Sequence, residues 1–246
     1  MTIETERVQI SSDGGSFGGF VARPEGDEVL PAVIVYMEIF GVNSHIREVT
    51  ERIAAEGYVA IAPDYFHRSG PGVELGYDDA GMAEGMKLLG SLRADEMIAD
   101  AESTIAHLRD RSDVQGDRIG AMGFCIGGHM TYLTACTTDI QVSAPFYGGG
   151  IAAPQGPGGA ASTVSRTSGI KGAMMCFFGG QDAMIPPDQV DAIRAAISDA
   201  GVRGEVVVYD DADHGFHCDQ RDSYNPTAAK DAWRRVTELF AAELKG

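Results

Sequence analysis

Cations are scarce in this chain. Its 246 residues carry 19 lysines and arginines against 36 aspartates and glutamates, a formal net charge of −17. Nucleic acid and anionic membrane surfaces both need a basic face, so neither is expected as a partner. Long apolar runs are also missing, and nothing approaches the roughly 20 residues that span a bilayer. The opening MTIETERVQI has neither the basic start nor the apolar stretch of a secretory signal, which makes the cytoplasm the expected compartment. Cysteine is sparse, at positions 125, 136, 176 and 218, with no CxxC pair and no Cys/His metal spacing. A disulfide framework and a zinc site are therefore not expected. Internal repeats are absent, and the length suits one domain over residues 1–246.

What is present is an alternation of strand-like and helix-like segments. Val8–Ile10 and Phe17–Arg23, split by Gly14-Gly15, predict an N-terminal hairpin. Continuous apolar runs at 32–36, 59–62, 118–122, 142–147, 173–178 and 205–209 predict buried strands. Helical spacing is predicted over 43–56, 83–89, 94–108, 125–136 and 226–244. This order predicts an α/β protein with a mostly parallel central sheet, helices on both faces and ligands at the carboxyl ends of the strands. Residues 64–80 are predicted as loop. The Gly-, Ala-, Pro- and Ser-rich stretch 148–168 is predicted as a long irregular connection, of the kind that is mobile, forms a lid or binds ligand.

The chemistry concentrates at those strand ends. Gly123-Phe124-Cys125-Ile126-Gly127-Gly128 puts a cysteine at the apex of a strand-to-helix turn. Small neighbours permit the strained apex, and the helix N-terminus favours a thiolate there. Asp182 follows the 173–178 run in a Gly-flanked turn, and His214 follows the 205–209 run before a glycine. Nucleophile, acid and histidine in that chain order form a candidate Cys125–His214–Asp182 triad. Asp210, Asp211 and Asp213 adjoin His214 in sequence, but chain neighbours seldom point at one another. His129, four residues past Cys125, is read as a packing residue. His217, three residues past His214, is close enough to touch a substrate. The backbone N–H groups of Ile39 and Ile126 are the candidate oxyanion donors. Glu38 adjoins the first of these, where negative charge would oppose the transition state. It is expected either to take the thiol proton or to accept a cationic partner.

Taken together, Glu38-Ile39-Phe40-Gly41-Val42-Asn43, GYVAIAPDYF at 57–66, GFCIGG, GGQDAMIP and ADHGF resemble the dienelactone hydrolase (carboxymethylenebutenolidase) family of the α/β-hydrolase superfamily. The resemblance runs over nearly the whole chain. It implies opening of a lactone or activated ester by Cys125, His214 and Asp182, with Glu38 helping to form the thiolate. It also implies oxyanion donors at Ile39 and Ile126, a small-molecule lactone or ester as partner, and no metal or organic cofactor. One position departs from the pattern. The family grips its substrate carboxylate with two arginines, one four residues after the catalytic histidine, and Cys218 stands there. Around 81–87, where the other falls, the one cation is Lys87. His217, Arg68 and Arg166 are the candidates to take their place. Two rival readings remain: an esterase or thioesterase for neutral substrates using the same triad, and a non-catalytic scaffold whose thiol senses or binds a ligand.

Overall fold

The computed structural model describes residues 2–246. Ile3–Ser12 (β1) and Gly15–Pro24 (β2) form the hairpin, with Ser12 paired to Gly15 across the turn. Next come Leu30–Tyr36 (β3), Ser44–Ala55 (α1) and Val59–Pro63 (β4), then Asp79–Ser91 (α2) and Ala94–Asp110 (α3). Val114–Phe124 (β5) leads into Ile126–Thr137 (α4), followed by Val142–Phe146 (β6). Ala173–Gly179 (β7), Pro187–Asp199 (α5), Gly204–Tyr209 (β8) and Pro226–Leu244 (α6) complete the chain. The strands make one eight-stranded sheet in the order β1-β2-β4-β3-β5-β6-β7-β8. β1 and β2 are antiparallel to their neighbours, and every pairing from β4 to β8 is parallel. This is the α/β-hydrolase architecture the sequence predicts.

Two glycines on β5 show that helices cover both faces. A Cβ on Gly120 would lie 3.2 Å from Leu244 of α6, whereas one on Gly123 would run into the carbonyl of Gly127 in α4. Residues three apart on a strand face opposite sides, so α4 and α6 sandwich the sheet. α1 shares the α6 side, with Arg52 stacked 3.9 Å over Trp233 and Tyr58 edge-on to Phe240. α3 packs beside α4 on the other, and α5 meets the 163–169 turn that also packs on α4. Every residue from Ile126 to Cys136 is buried, which fits a helix enclosed all round.

Several boundaries differ from expectation. β1 runs well beyond Val8–Ile10 because it is an edge strand, held by backbone pairing to β2 while most of its side chains stay exposed. α2 begins before 83, since Asp78 caps it by accepting the Gly81 N–H at 2.8 Å. The 148–168 connection carries two short 3-10 turns, Pro157–Gly159 and Thr163–Gly169, the second running one residue past it. Among the described residues no helix is long and apolar enough to cross a membrane.

Candidate active site

Cys125 is the apex of the β5–α4 turn and has φ 56°, a left-handed conformation that a non-glycine residue rarely adopts. Its strain is held on all sides. The Cys125 N–H donates to Phe146 O at 3.1 Å, and its own carbonyl accepts from His129 N at 3.2 Å. A Cβ on Gly127 would collide with the carbonyls of Tyr36 and Met37, so the elbow seats against β3 only because that position is bare. The cysteine is half-buried, whereas Cys136, Cys176 and Cys218 are buried. Burial pushes the Cys136 and Cys218 thiols up to about 12.

Asp182 and His214 meet beside it. β7 ends at Gly179 and β8 at Tyr209, and the turns that follow are laced together. Gly180 N donates to Tyr209 O at 2.8 Å, Gln181 N donates to Ala212 O at 2.9 Å, and the Gln181 amide donates to Asp210 O at 2.9 Å. Asp182 is buried, and each carboxylate oxygen has one donor. Oδ1 accepts from Met184 N at 2.8 Å, and Oδ2 accepts from His214 Nδ1 at 2.7 Å. With Nδ1 committed as donor, Nε2 is the nitrogen left to exchange a proton. It is buried and has no protein partner among the described residues. Burial pulls the His214 imidazole down, but the Asp182 hydrogen bond and the neighbouring Cys125 sulfur outweigh it and raise it to about 10. That direction fits a histidine that keeps its proton between the Asp182 carboxylate and the Cys125 sulfur.

The loop after β3 carries Glu38 and Ile39. Neither the Ile39 N–H nor the Ile126 N–H is taken by another protein group among the described residues. Ile126 lines the cavity over Cys125. Ile39 lies beneath α2, because a Cβ on Gly85 would come within 2.8 Å of the Ile39 carbonyl. Glu38 is fully buried. Its Oε1 accepts from Arg221 Nη1 at 3.0 Å and its Oε2 from the Tyr77 hydroxyl at 3.2 Å, which in turn accepts from Asn43 Nδ2 at 3.1 Å. The guanidinium also lies 5.7 Å over the Phe40 ring. A cationic partner for Glu38 therefore exists, and it is Arg221. Nothing local in the sequence ties the two, although Arg221 is the one cation between Asp210 and Tyr224.

Above Cys125 lies a cavity of about 400 Å³, walled by Leu89, Leu92, Ile126, Met184 and the 149–158 segment, with His214 at its edge. A cavity of about 410 Å³ between the hairpin and residues 64–74 is of similar size, but it holds no cysteine and lies away from the triad. His129 ties the 148–168 connection down. Nδ1 meets Gly149 O at 2.8 Å and Nε2 meets Thr163 Oγ1 at 2.7 Å. The packing role expected of His129 thus extends to fixing one wall of the cavity.

His217 requires a correction. It is buried and stacks on Phe124 with ring centroids 5.1 Å apart, near Phe146 and Trp233, and it does not line the cavity. After Gly215 the chain turns inward, so three residues carry it from the site into the core. Arg68 pairs with Asp100 at 2.6 Å, also outside the cavity. Arg166 is near Cys136 and likewise does not line it. Among the described residues no cluster of three or more His, Cys, Asp or Glu is placed to hold a metal.

Comparison with known proteins bears on the same region. The dienelactone hydrolase family model matches residues 17–244. A Synechocystis sp. protein assigned by inference as a carboxymethylenebutenolidase is 43% identical over 244 residues, covering 99% of this chain and 98% of that protein. A Salmonella typhimurium protein with the same inferred assignment is 35% identical over 245 residues, covering 95% of this chain and 86% of the other. The crystal structure of a Klebsiella pneumoniae protein, assigned by inference as a dienelactone hydrolase, superposes with a TM-score of 0.89. It is 32% identical, and the match covers 98% of this chain and 99% of that one.

Proposed function

The chain belongs to the dienelactone hydrolase family and is a hydrolase of lactones or carboxylic esters, and from that premise we propose that Cys125, His214 and Asp182 act as its triad. The Cys125 thiolate attacks the carbonyl carbon, and the carbonyl π pair moves onto oxygen to give a tetrahedral oxyanion. The N–H groups of Ile126 and Ile39 receive that charge, each donor contributing about 2.7–4 kcal/mol in comparable sites. Collapse breaks the C–O bond and leaves a thioester. The leaving alkoxide takes the proton from His214 Nε2. His214, now neutral and oriented by Asp182, removes a proton from water, which attacks the thioester and returns the thiolate and the imidazolium. A lactone gives one ring-opened hydroxy acid, and an ester gives an acid and an alcohol. A thiolate suits esters with good leaving groups, so amide cleavage is expected to be negligible.

The observation carrying this reading is the 2.7 Å Asp182–His214 hydrogen bond, with a buried, unpartnered Nε2 beside the strained cysteine. Glu38 fits the same scheme. Paired with Arg221 it adds no net negative charge beside the developing oxyanion, and it is still available to take the thiol proton if that pair opens. A non-catalytic thiol scaffold would have no use for a histidine and an aspartate so aligned. The test is p-nitrophenyl acetate turnover by wild type and Cys125→Ala, with intact-protein mass spectrometry of the quenched reaction. An acetyl adduct on the wild type, and loss of turnover in the variant, is the expected pair of results. Turnover surviving the substitution would rule out Cys125 as nucleophile.

A further inference from the structure

We infer that Tyr147 is a positioning residue for His214, its ring holding the imidazole toward Cys125; the inference rests on the triad reading above. Two observations carry it, the place of the strain and what the ring touches. Among the described residues only two that are not glycine have a positive φ, Cys125 at 56° and Tyr147 at 36°. They stand side by side. Phe124 on β5 and Phe146 on β6 are register partners, and each strained residue is the one that follows. The Cys125 N–H donates to Phe146 O at 3.1 Å, and the Tyr147 N–H donates to Phe177 O at 2.7 Å. A left-handed backbone is costly for an aromatic residue, and it persists where the surroundings impose it, most often at functional sites. Here the first turn of α4 imposes it. A Cβ on Gly128 would run into the Phe146 carbonyl, and one on Gly148 would lie 2.9 Å from His129 N. Tyr147 therefore cannot relax without lifting the helix that carries the nucleophile.

An ordinary core aromatic needs no such backbone. What the strain delivers is a fully buried ring set edge-on to His214, with centroids 5.1 Å apart and planes at 62°. The same ring meets Phe216 edge-on at 5.2 Å and 70°. The loop after β8 thus closes over one ring with the residues on either side of Gly215, whose φ of 81° lets the chain turn between them. Asp182 fixes only one atom of the imidazole, at Nδ1. About the axis of that hydrogen bond the ring could still swing and carry Nε2 away from the sulfur. Contact with Tyr147 removes this freedom, and edge-on aromatic pairs are favourable beyond the area they bury. Tyr147 does not line the cavity, so it acts through His214 and not on the substrate.

The test separates the ring from its hydroxyl. That hydroxyl is buried and has no protein partner among the described residues, so Tyr147→Phe breaks no hydrogen bond and keeps the ring. Tyr147→Leu removes the ring and keeps the site apolar. Each variant and the wild type are compared in p-nitrophenyl acetate turnover, in urea unfolding and in the downfield Nδ1 proton resonance of His214 by NMR. Tyr147→Leu is expected to lower kcat by about ten- to a hundredfold with little change in KM, since a misplaced base slows the chemical step. Its His214 resonance should broaden or vanish at temperatures where the protein is still folded. Tyr147→Phe should restore both the rate and the resonance. Phe216→Leu loosens the ring from its other side and should act in the same direction, which keeps the test open if Tyr147→Leu does not fold. Wild-type kcat and an unchanged resonance in the leucine variants, with Cys125→Ala inactive, would overturn this inference and leave the triad reading intact. Equal losses in Tyr147→Phe and Tyr147→Leu would place the effect in the hydroxyl and overturn it too. Turnover by Cys125→Ala would instead defeat the triad reading itself.

Discussion

Removing Arg221 should be more damaging than removing it together with the charge it meets. Glu38 is fully buried, with Arg221 at 3.0 Å and the Tyr77 hydroxyl at 3.2 Å as its donors. Arg221→Met keeps most of the side-chain volume but leaves a buried carboxylate with one neutral donor, and breaking such a pair costs about 3–5 kcal/mol. In the double variant Glu38→Gln/Arg221→Met no charge remains, and the new amide still accepts from Tyr77. Its cost is expected to fall to roughly 1–2 kcal/mol, that of an imperfectly replaced hydrogen bond and some lost packing. With Glu38→Gln alone at about 2 kcal/mol, the cycle gives a coupling of roughly 3–6 kcal/mol. Urea unfolding followed by circular dichroism at 222 nm measures all four proteins, with the m-values checked for constancy. If the single-variant costs add to the double within about 0.5 kcal/mol, the pair is not coupled and the electrostatic argument fails. Iodoacetamide labelling on the same proteins reports the site. Cys125 is half-buried while the other three cysteines are buried, and Arg221→Met is expected to quicken its alkylation at pH 7, because the freed Glu38 carboxylate can then take the thiol proton.

Acid should destabilise the fold well above the carboxylate range. His45, His129 and His217 are buried and held below their ordinary value by burial, His129 at about 4. The folded protein keeps them neutral, while the unfolded chain takes up protons below about pH 6.5, so their contribution is present above that pH and lost as pH falls. The three protons these residues bind on unfolding contribute a slope of up to about 4 kcal/mol per pH unit, and His217→Phe should remove about a third of that contribution. His214 works in the other direction. Raised to about 10, it contributes stability below about pH 6.5 that is lost as pH rises toward 10, so it does not offset the acid slope. Urea midpoints from pH 7.5 to 5.0 check this, and a flat profile would contradict it. Gly127→Ala should lower kcat by about a hundredfold, because the added methyl pushes the elbow off the Tyr36 and Met37 carbonyls and a shift near 1 Å suffices for such a loss. Parallel kcat and unfolding measurements would separate that from simple misfolding.

Much of this was legible in the chain because the cues are local. The apolar runs locate the buried strands, and the small residues around Cys125 announce a turn tight enough to give it φ 56°. Asp182 and His214 stand just past strands, where parallel topology carries them to one edge. What escaped the sequence depends on distant contacts or on loops without periodicity. Arg221 reaches Glu38 from the far end of the chain. His217 sits in a turn whose inward course no pattern reveals, and only the ring of Phe124 beneath it shows where it belongs. The 148–168 connection has no periodicity to announce its contacts, among them the two hydrogen bonds of His129, to Gly149 O and Thr163 Oγ1. β1 extends past the apolar residues Val8–Ile10 that mark it in the sequence, because an edge strand needs little burial to form.

The position of the base in the sheet has a further consequence. The cysteine rides on β5, near the middle, whereas the histidine hangs from β8, an edge strand, half-exposed and paired on one side to β7. Sheet margins open by local fluctuations that cost less than global unfolding. Losing β8 would take His214 away while the elbow and its strained thiol stayed in place. Activity should therefore disappear under mild denaturant before the core loosens, and amide hydrogen exchange along β8 should track that loss. The enzyme's working lifetime would then be set at its margin, with an intact and still alkylatable nucleophile left behind.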